Sequence, residues 1–114
     1  MGEQIDDLGS AGFDPAVLEA RASEAEAFLR SLASRHRLMI LCLLVEGEMS
    51  VGELGDRLAL TQSNLSRHLG MLREEGLVAA RREGTFIRYR VASPRVRSML
   101  AELSRLFCAN PASR

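Results

Sequence analysis

Apolar residues recur at helical spacing in the first third of the chain. Asp14 followed by Pro15 is typical of a helix N-terminus, because the carboxylate accepts from early backbone N–H groups and proline tolerates the first turn. The apolar positions that follow are separated alternately by four and three residues, and they are Leu18, Ala22, Ala25, Leu29 and Leu32. This spacing predicts one helix with a narrow apolar stripe, which suits close packing against another helix.

A second helix is predicted from Ser34 to about Glu46. Ser34 is a candidate N-cap, and Gly47 is a candidate stop. The centre of this helix, residues 38–45, has the sequence LMILCLLV and is apolar on every side. A helix without a polar face belongs in the core, so the pattern predicts the buried helix of the domain.

Two shorter helices follow, joined by a turn of three residues. Ser50 and Glu53 match a capping box, which predicts a short helix as far as Leu58. Thr61 is the candidate N-cap of the next helix, which is predicted to end at Gly76. The apolar residues on its inner face are Leu65, Leu69 and Leu72.

The last part of the chain predicts a β-hairpin and a final helix. Two strands, residues 77–82 and 85–91, flank a predicted two-residue loop at residues 83–84. Ser93 and Pro94 open the final helix, and Asn110 with Pro111 is predicted to end it. Its apolar stripe consists of Val96, Met99, Leu100, Leu103, Leu106 and Phe107.

The order of these elements, α-α-α-α-β-β-α, predicts a mainly α fold with a β-hairpin wing, a winged helix-turn-helix. We expect one domain over residues 14–110, a mobile arm at residues 1–13 and a tail at residues 111–114. The length excludes a doubly wound nucleotide fold, a barrel enzyme and a separate regulatory domain.

In a helix-turn-helix the second helix lies in the major groove and presents its first turns to base edges. Here those turns are residues 61–68, TQSNLSRH, whose polar side chains have hydrogen-bonding size. The alternative interpretation is that Thr61 and Ser63 cap the helix and the other side chains simply face solvent.

The charge distribution changes the picture that the total charge suggests. Fifteen basic and fifteen acidic residues among 114 give zero net charge, which would argue against a nucleic-acid partner. Residues 1–60 hold eleven acids and five bases, a balance of −6, whereas residues 61–114 hold four acids and ten bases, a balance of +6. All the bases are arginines, whose planar fork suits phosphates and guanine edges, although a GC-rich genome equally explains this usage.

The predicted hairpin concentrates positive charge. It carries four arginines, with only Glu83 nearby in sequence to offset them, and they are Arg81, Arg82, Arg88 and Arg90. Such a wing favours a phosphate partner, or insertion of its tip into the minor groove. The alternative is a solvated sheet edge that charge protects from aggregation.

The residues from the short helix to the wing resemble the ArsR/SmtB family of dimeric bacterial repressors. The similarity covers residues 29–107, and SRHLGML at residues 66–72 followed by GLV at residues 76–78 is its most specific part. It implies a homodimer built from the first and last helices and bound to a pseudo-palindromic double-stranded DNA operator. It also implies base or phosphate contacts at matching positions, namely Gln62, Ser63, Ser66 and Arg67.

The full predicted DNA-binding set contains four more residues. Thr61 and His68 belong to the second helix of the helix-turn-helix, which we call the reader helix, and Arg82 and Arg88 belong to the wing. His68 has an alternative role, because its imidazole can instead pack or hydrogen-bond within the unit.

The two cysteines are the candidate sensor residues. The simplest interpretation of Cys42 is a small core hydrophobe on the buried helix. Cys108 lies outside the apolar stripe of the last helix, so core packing does not explain a cysteine at this position. Arg105 is close enough in sequence to favour the thiolate form of Cys108. No C-x-x-C pair or zinc-ligand cluster accompanies them, so no metal site and no cofactor are predicted.

The arrangement of these cysteines resembles the persulfide-sensing (SqrR/BigR-like) branch of the ArsR/SmtB family. That resemblance implies that reactive sulfur species join Cys42 and Cys108 through an intramolecular di- or polysulfide bridge. The bridge would lower operator affinity and derepress genes for sulfide oxidation. A thiol-based response to a metal or metalloid is the alternative within the family.

Two alternatives from other classes are an enzyme and a protein-binding module. A thiol enzyme with Cys108 as nucleophile lacks a partner base at recognisable spacing.

The N-terminal residues are acidic and polar, and the longest apolar run has eight residues, far from the ~20 that a bilayer requires. We therefore expect a cytoplasmic protein that is not an enzyme and has no membrane partner, with thiols that rest reduced.

Overall fold

The computed structural model describes residues 14–108, so the predicted arm and tail lie outside the described residues. The described residues form two compact units, and the division between them falls between Ala33 and Ser34.

The described residues of the first unit form two helices where the apolar spacing predicts one. Helix α1 spans Pro15–Ala20, and helix α2 spans Ala22–Leu32. The predicted N-cap is confirmed, since Asp14 Oδ1 accepts from the backbone N–H of Ala16 at 3.0 Å. The helix breaks at Arg21, whose φ of −116° and ψ of 18° leave the helical region. The apolar stripe could not reveal this break, because the spacing of its residues continues across it.

The second unit contains four helices and three strands among its described residues. In chain order they are α3 (Arg35–Glu46), β1 (Met49–Ser50), α4 (Val51–Arg57), α5 (Gln62–Glu74), β2 (Val78–Glu83), β3 (Phe86–Val91) and α6 (Pro94–Phe107). The predicted N-caps of these four helices are confirmed, and they are Ser34, Ser50, Thr61 and Ser93. Helix α6 ends at Phe107, before Asn110 and Pro111, which lie outside the described residues.

The core of this unit lies between the helices and one face of the sheet. The fully buried side chains are Ile40, Leu41 and Leu44 of α3, Leu54 of α4, Leu65, Leu69 and Leu72 of α5, and Val96 of α6. Helix α3 has four buried residues, more than any other described helix, which agrees with the prediction that it is the buried helix of the domain, but it is not buried on every side. The helix packs against β3 and α6, and this leaves a face with Met39 and Cys42 exposed.

The end of α5 is a Schellman motif, which confirms the predicted stop at Gly76. Gly76 has a φ of +77°, a conformation that costs side-chain-bearing residues free energy. Its N–H donates to the Arg73 carbonyl at 3.0 Å, and the Leu77 N–H donates to the Leu72 carbonyl at 2.9 Å.

The sheet has three antiparallel strands in the order β1-β3-β2, so the predicted hairpin has a third strand beside it. Strand β1 was not predicted, because its two residues are too few to show an alternation of apolar and polar positions. The hairpin loop is Gly84-Thr85, one residue later than predicted, because Gly84 takes the positive φ of +62° at the first loop position. As a result, Arg81 lies opposite Arg88, whereas a loop at residues 83–84 would set it opposite Phe86.

Together these elements form the winged helix-turn-helix that the sequence predicts. Helices α4 and α5 pack on each other, and α5 also packs on β2 of the wing. Within residues 14–108, no helix is both long and apolar enough to cross a membrane.

Candidate DNA interface and thiol site

Helix α5, the reader helix, divides into a buried face and an open face. Thr61 begins it as N-cap, and its Oγ1 accepts from the backbone N–H of Asn64 at 3.1 Å. The buried leucines anchor the helix to the core, whereas most of the predicted DNA-binding residues are exposed, namely Thr61, Gln62, Ser63, Ser66 and Arg67. A surface of small polar side chains and one arginine is therefore open to a partner.

His68 has a different environment from the other predicted residues of α5. Its ring is half-buried, and its Nδ1 accepts from the Nε–H of Arg37 on α3 at 3.4 Å. The ring of His36 lies 5.9 Å from it between centroids. Burial lowers the pKa of His68, and the positive charges of Arg67, Arg37 and His36 lower it further. The neutral imidazole is thus favoured in the described structure.

The two predicted wing residues lie on opposite faces of the hairpin. Because the register pairs Arg81 with Arg88 and Arg82 with Ile87, Arg88 shares a face with Arg81, and Arg82 shares the other face with Ile87. Arg82 is exposed and forms no ion pair within residues 14–108. It is therefore open to a phosphate group.

Arg88 is held by carboxylates that the local sequence does not reveal. Its guanidinium is 3.2 Å from Glu53 Oε1, 3.5 Å from Glu83 Oε1 and 3.9 Å from Glu48 Oε1. Its Nη2 also donates to the backbone carbonyl of Glu48 at 3.4 Å. Its side chain is only 24% exposed. The expectation that Glu83 alone offsets the wing arginines is therefore corrected.

Glu48 is the centre of this wing cluster, which consists of Glu48, Glu53, Glu83, Arg81 and Arg88. Arg81 donates its Nε–H to both oxygens of Glu48, at 3.0 and 3.1 Å. That hydrogen bond lowers the pKa of Glu48, and nearby positive charges on arginines lower it further. A hydrogen bond from the Ser50 backbone lowers the pKa of Glu53, and the charge of Arg88 adds to the effect. The cluster offsets the repulsion between two arginines that lie directly opposite in the sheet.

The two cysteines are both exposed and both unbridged. Cys42 lies in the middle of α3 with its side chain exposed, and because it is exposed, its interpretation as a core hydrophobe is wrong. Cys108 is the C-cap of α6, and its N–H donates to the Ser104 carbonyl at 2.8 Å. The guanidinium of Arg105 is paired with Glu102. Among the described residues, no three side chains of histidine, cysteine or acid type form a group able to hold a metal ion.

The sequence and the fold both match known proteins. Residues 34–80 match the bacterial regulatory protein, arsR family. The transcriptional activator HlyU of Vibrio cholerae is 44% identical over 91 residues, which make up 80% of this chain and 84% of HlyU.

The chain belongs to the ArsR family. Solved structures of family members and relatives share its fold. Reduced HlyU from Vibrio cholerae has a TM-score of 0.75 at 44% identity, covering 80% of this chain and 96% of HlyU. The transcriptional repressor BigR from Xylella fastidiosa has a TM-score of 0.80 at 40% identity, covering 85% of this chain and 99% of BigR.

A third structure is described as homodimeric and DNA-binding. It is the winged helix-turn-helix domain of Mb0332 from Mycobacterium bovis, a possible ArsR-family regulator. Its TM-score is 0.67 at 32% identity, and the match covers 78% of this chain and 82% of that domain. This ArsR-family chain is thus a DNA-binding transcriptional regulator, and its relatives are regulators rather than enzymes.

Three features of this ArsR-family site were not predicted from the sequence. They are strand β1, the pairing of Glu48 with the wing arginines, and the contact of α3 with His68. Glu53 did carry a signal, but the signal was for its role in the capping box, which is confirmed.

Proposed function

We propose that this ArsR-family regulator is a cytoplasmic, homodimeric repressor that releases its operator when reactive sulfur species bridge Cys42 and Cys108. The observation that carries the proposal is the exposure of both thiols, one in α3 and one at the C-cap of α6, within one compact unit. A thiol buried in the core would be inert, whereas an exposed thiol is available to a sulfur electrophile. The reduced form of HlyU is among the similar structures.

The homodimer is supported by apolar side chains that the single chain leaves exposed. On α6, Leu106 is 56% and Phe107 is 79% exposed. On α2, Leu29 is 53% exposed. Large exposed apolar groups on α2 and α6 suit a partner of the same kind, as Mb0332 is homodimeric. A twofold dimer matches a pseudo-palindromic operator.

The proposed switch conserves atoms and electrons. The Cys42 thiolate attacks a sulfur of hydrogen trisulfide and releases one hydrosulfide ion. The Cys108 thiolate then attacks the chain held on Cys42 and releases a second hydrosulfide. The products are a trisulfide bridge and two molecules of hydrogen sulfide, with the two electrons from the thiols reducing the terminal sulfurs. With a persulfide of lower sulfur content the same two attacks give a disulfide.

The structure offers a route from the thiols to the reader helix. Helix α6 packs on α3, and Arg97 Nη1 donates to the Val45 carbonyl of α3 at 3.4 Å. Helix α3 carries Cys42 in its middle and Arg37 in its first turn, and Arg37 contacts His68 of α5. A bridge that shifts α6 against α3 would therefore act on the reader helix. A tenfold loss of affinity requires only ~1.4 kcal/mol of coupling, which is within the usual range.

We assign DNA contacts to both elements of the winged helix. On α5 the contacts are made by Thr61, Gln62, Ser63, Ser66, Arg67 and His68, and on the wing by Arg82 and Arg88. The exposure of Arg82 supports a phosphate contact directly. Arg88 is held by carboxylates, so we expect its contribution to DNA affinity to be the smaller of the two.

The experiment combines DNA binding with intact mass spectrometry under anaerobic conditions. Duplexes that bind the protein are first selected from a random-sequence pool. Fluorescence anisotropy then measures the affinity for these duplexes before and after polysulfide treatment of the wild type, Cys42→Ser and Cys108→Ser. We expect the wild type to gain whole sulfur atoms, lose both thiols and lose at least tenfold in affinity. Both serine variants should bind DNA normally and fail to respond, and Ser104→Ala, a small neutral change on α6, should behave as wild type.

Release of DNA by either serine variant after polysulfide would contradict the dithiol switch. A mass gain from arsenite or zinc, with DNA release by that ion and none by polysulfide, would favour the metal or metalloid alternative.

A further inference from the structure

A cluster of nitrogen-bearing side chains joins the first turn of α3 to one flank of the reader helix. Arg37 spans the junction, with its Nε 3.4 Å from His68 Nδ1 and its Nη2 3.2 Å from the sulfur of Met71. The ring of His36 lies beside that of His68, tilted by 48° with 5.9 Å between the centroids. These contacts fix the guanidinium of Arg37 beside the reader helix.

The cluster has no carboxylate to balance it. Within residues 14–108, no ion pair involves Arg37, His36, His68 or Arg67. The acceptors that Arg37 does have, an imidazole nitrogen and a thioether sulfur, carry no negative charge. This contrasts with the wing cluster, in which the arginines Arg81 and Arg88 are neutralised by three glutamates. Among residues 14–108, the positive charge of Arg37 beside α5 is therefore not paired with any carboxylate.

The position of the cluster suits the DNA backbone. A helix is ~10–12 Å across and the major groove is ~12 Å wide, so side chains on the flanks of an inserted helix lie at the phosphates. His68 is half-buried at the flank of α5, next to the open face formed by residues such as Ser63 and Arg67. We propose that Arg37, His36 and His68 form a binding site for a DNA backbone phosphate. This site rests on the DNA-binding function and is independent of the thiol switch.

The proposal has a consequence for protons. In the unbound protein the Nδ1 of His68 accepts from Arg37, so the imidazole is neutral there. The charged groups that act on it are Arg67 on its own helix and Arg37 and His36 on α3, while α4 and β2 also pack on α5. Burial and these groups together hold the pKa of His68 down. A phosphate reverses that balance, so the pKa rises in the complex and DNA binding takes up a proton.

The first test is the salt dependence of binding to a mixed-sequence duplex, measured by fluorescence anisotropy without polysulfide. Arg37→Gln should lower the slope of log K against log salt by about one unit per protomer and reduce affinity about tenfold. Arg105→Gln, which removes the same charge from the far end of α6, is the matched control and should keep the wild-type slope. A wild-type slope for an Arg37→Gln protein that circular dichroism shows to be folded overturns the proposal.

The second test does not depend on the folding of an arginine variant. Calorimetric titration of the wild type with the same duplex, near pH 7 in two buffers of different ionisation enthalpy, measures proton uptake on binding. We expect net uptake in the wild type, less uptake in His68→Gln, and tighter wild-type binding as the pH falls. Binding by the wild type without proton uptake overturns the proposal. Because neither test uses polysulfide, failure of the sulfur switch would leave both results unchanged.

Discussion

The two wing arginines should differ in what they contribute to DNA binding. Arg82 is exposed and unpaired among the described residues, whereas Arg88 is 24% exposed and lies within 4 Å of three carboxylates. They also lie on opposite faces of the hairpin. Replacing each arginine by glutamine removes the same charge from two very different environments.

The expected magnitude follows from counterion release. Each phosphate contact contributes ~0.9 to the slope of log K against log salt. Between 50 and 200 mM salt, a fourfold range, one contact changes affinity by a factor of about 3.5, and one contact in each protomer of a dimer by about twelvefold. Arg82→Gln should lose this dependence. Arg88→Gln should lose much less of it, because its charge is already neutralised, and should instead lower the stability of the wing.

Fluorescence anisotropy across that salt range, with a mixed-sequence duplex, measures the two slopes. Thermal unfolding of the same proteins measures the cost to the fold. A fall in slope for Arg88→Gln that equals or exceeds the fall for Arg82→Gln would refute the reasoning. It would mean that DNA displaces the glutamates from Arg88 and that the ion pairs of the unbound protein do not decide the contact.

Two further predictions concern the stability of the helix-turn-helix and the wing. Ser50→Ala removes the capping box in which Ser50 Oγ accepts from Glu53 N at 3.2 Å, so the free energy of unfolding should fall by about 0.5–2 kcal/mol, as calorimetry would measure; no change would exclude the cap as a stabilising contact. The lowered pKa of Glu48 predicts wing stability that is present above the ordinary value of 4.5 and is lost as the pH falls through the lowered value. Fluorescence of Tyr89, the one tyrosine of the chain, reports this transition, and a Glu48→Gln protein with the same acid dependence would contradict the assignment.

The sequence alone determined where all of the described helices except α2 begin and which kind of fold they build. Ser34, Ser50, Thr61 and Ser93 each cap a helix as predicted, since a cap requires only a side chain and a backbone N–H three residues away. The stop at Gly76 is equally local. The order of elements was therefore readable from short stretches, and it sufficed to predict a winged helix-turn-helix.

Local sequence patterns gave wrong predictions where two different backbone structures fit the same pattern of residues. An apolar stripe continues through Arg21 although the backbone does not, so one predicted helix became two. The hairpin loop moved by one residue because the sequence could not show which loop position needs the positive φ of Gly84. That shift decides that Arg81 faces Arg88.

Only the tertiary structure decided which side chains meet and which thiols are open. Arg81 and Glu48 are 33 positions apart, and Arg37 and His68 are 31 apart, so no pattern within one element relates them. Cys42 lies in an apolar run that predicts burial, yet it is exposed because the sheet and α6 cover only part of α3. Caps and turns arise from hydrogen bonds within a few residues, whereas ion pairs and exposure depend on which helix faces pack together.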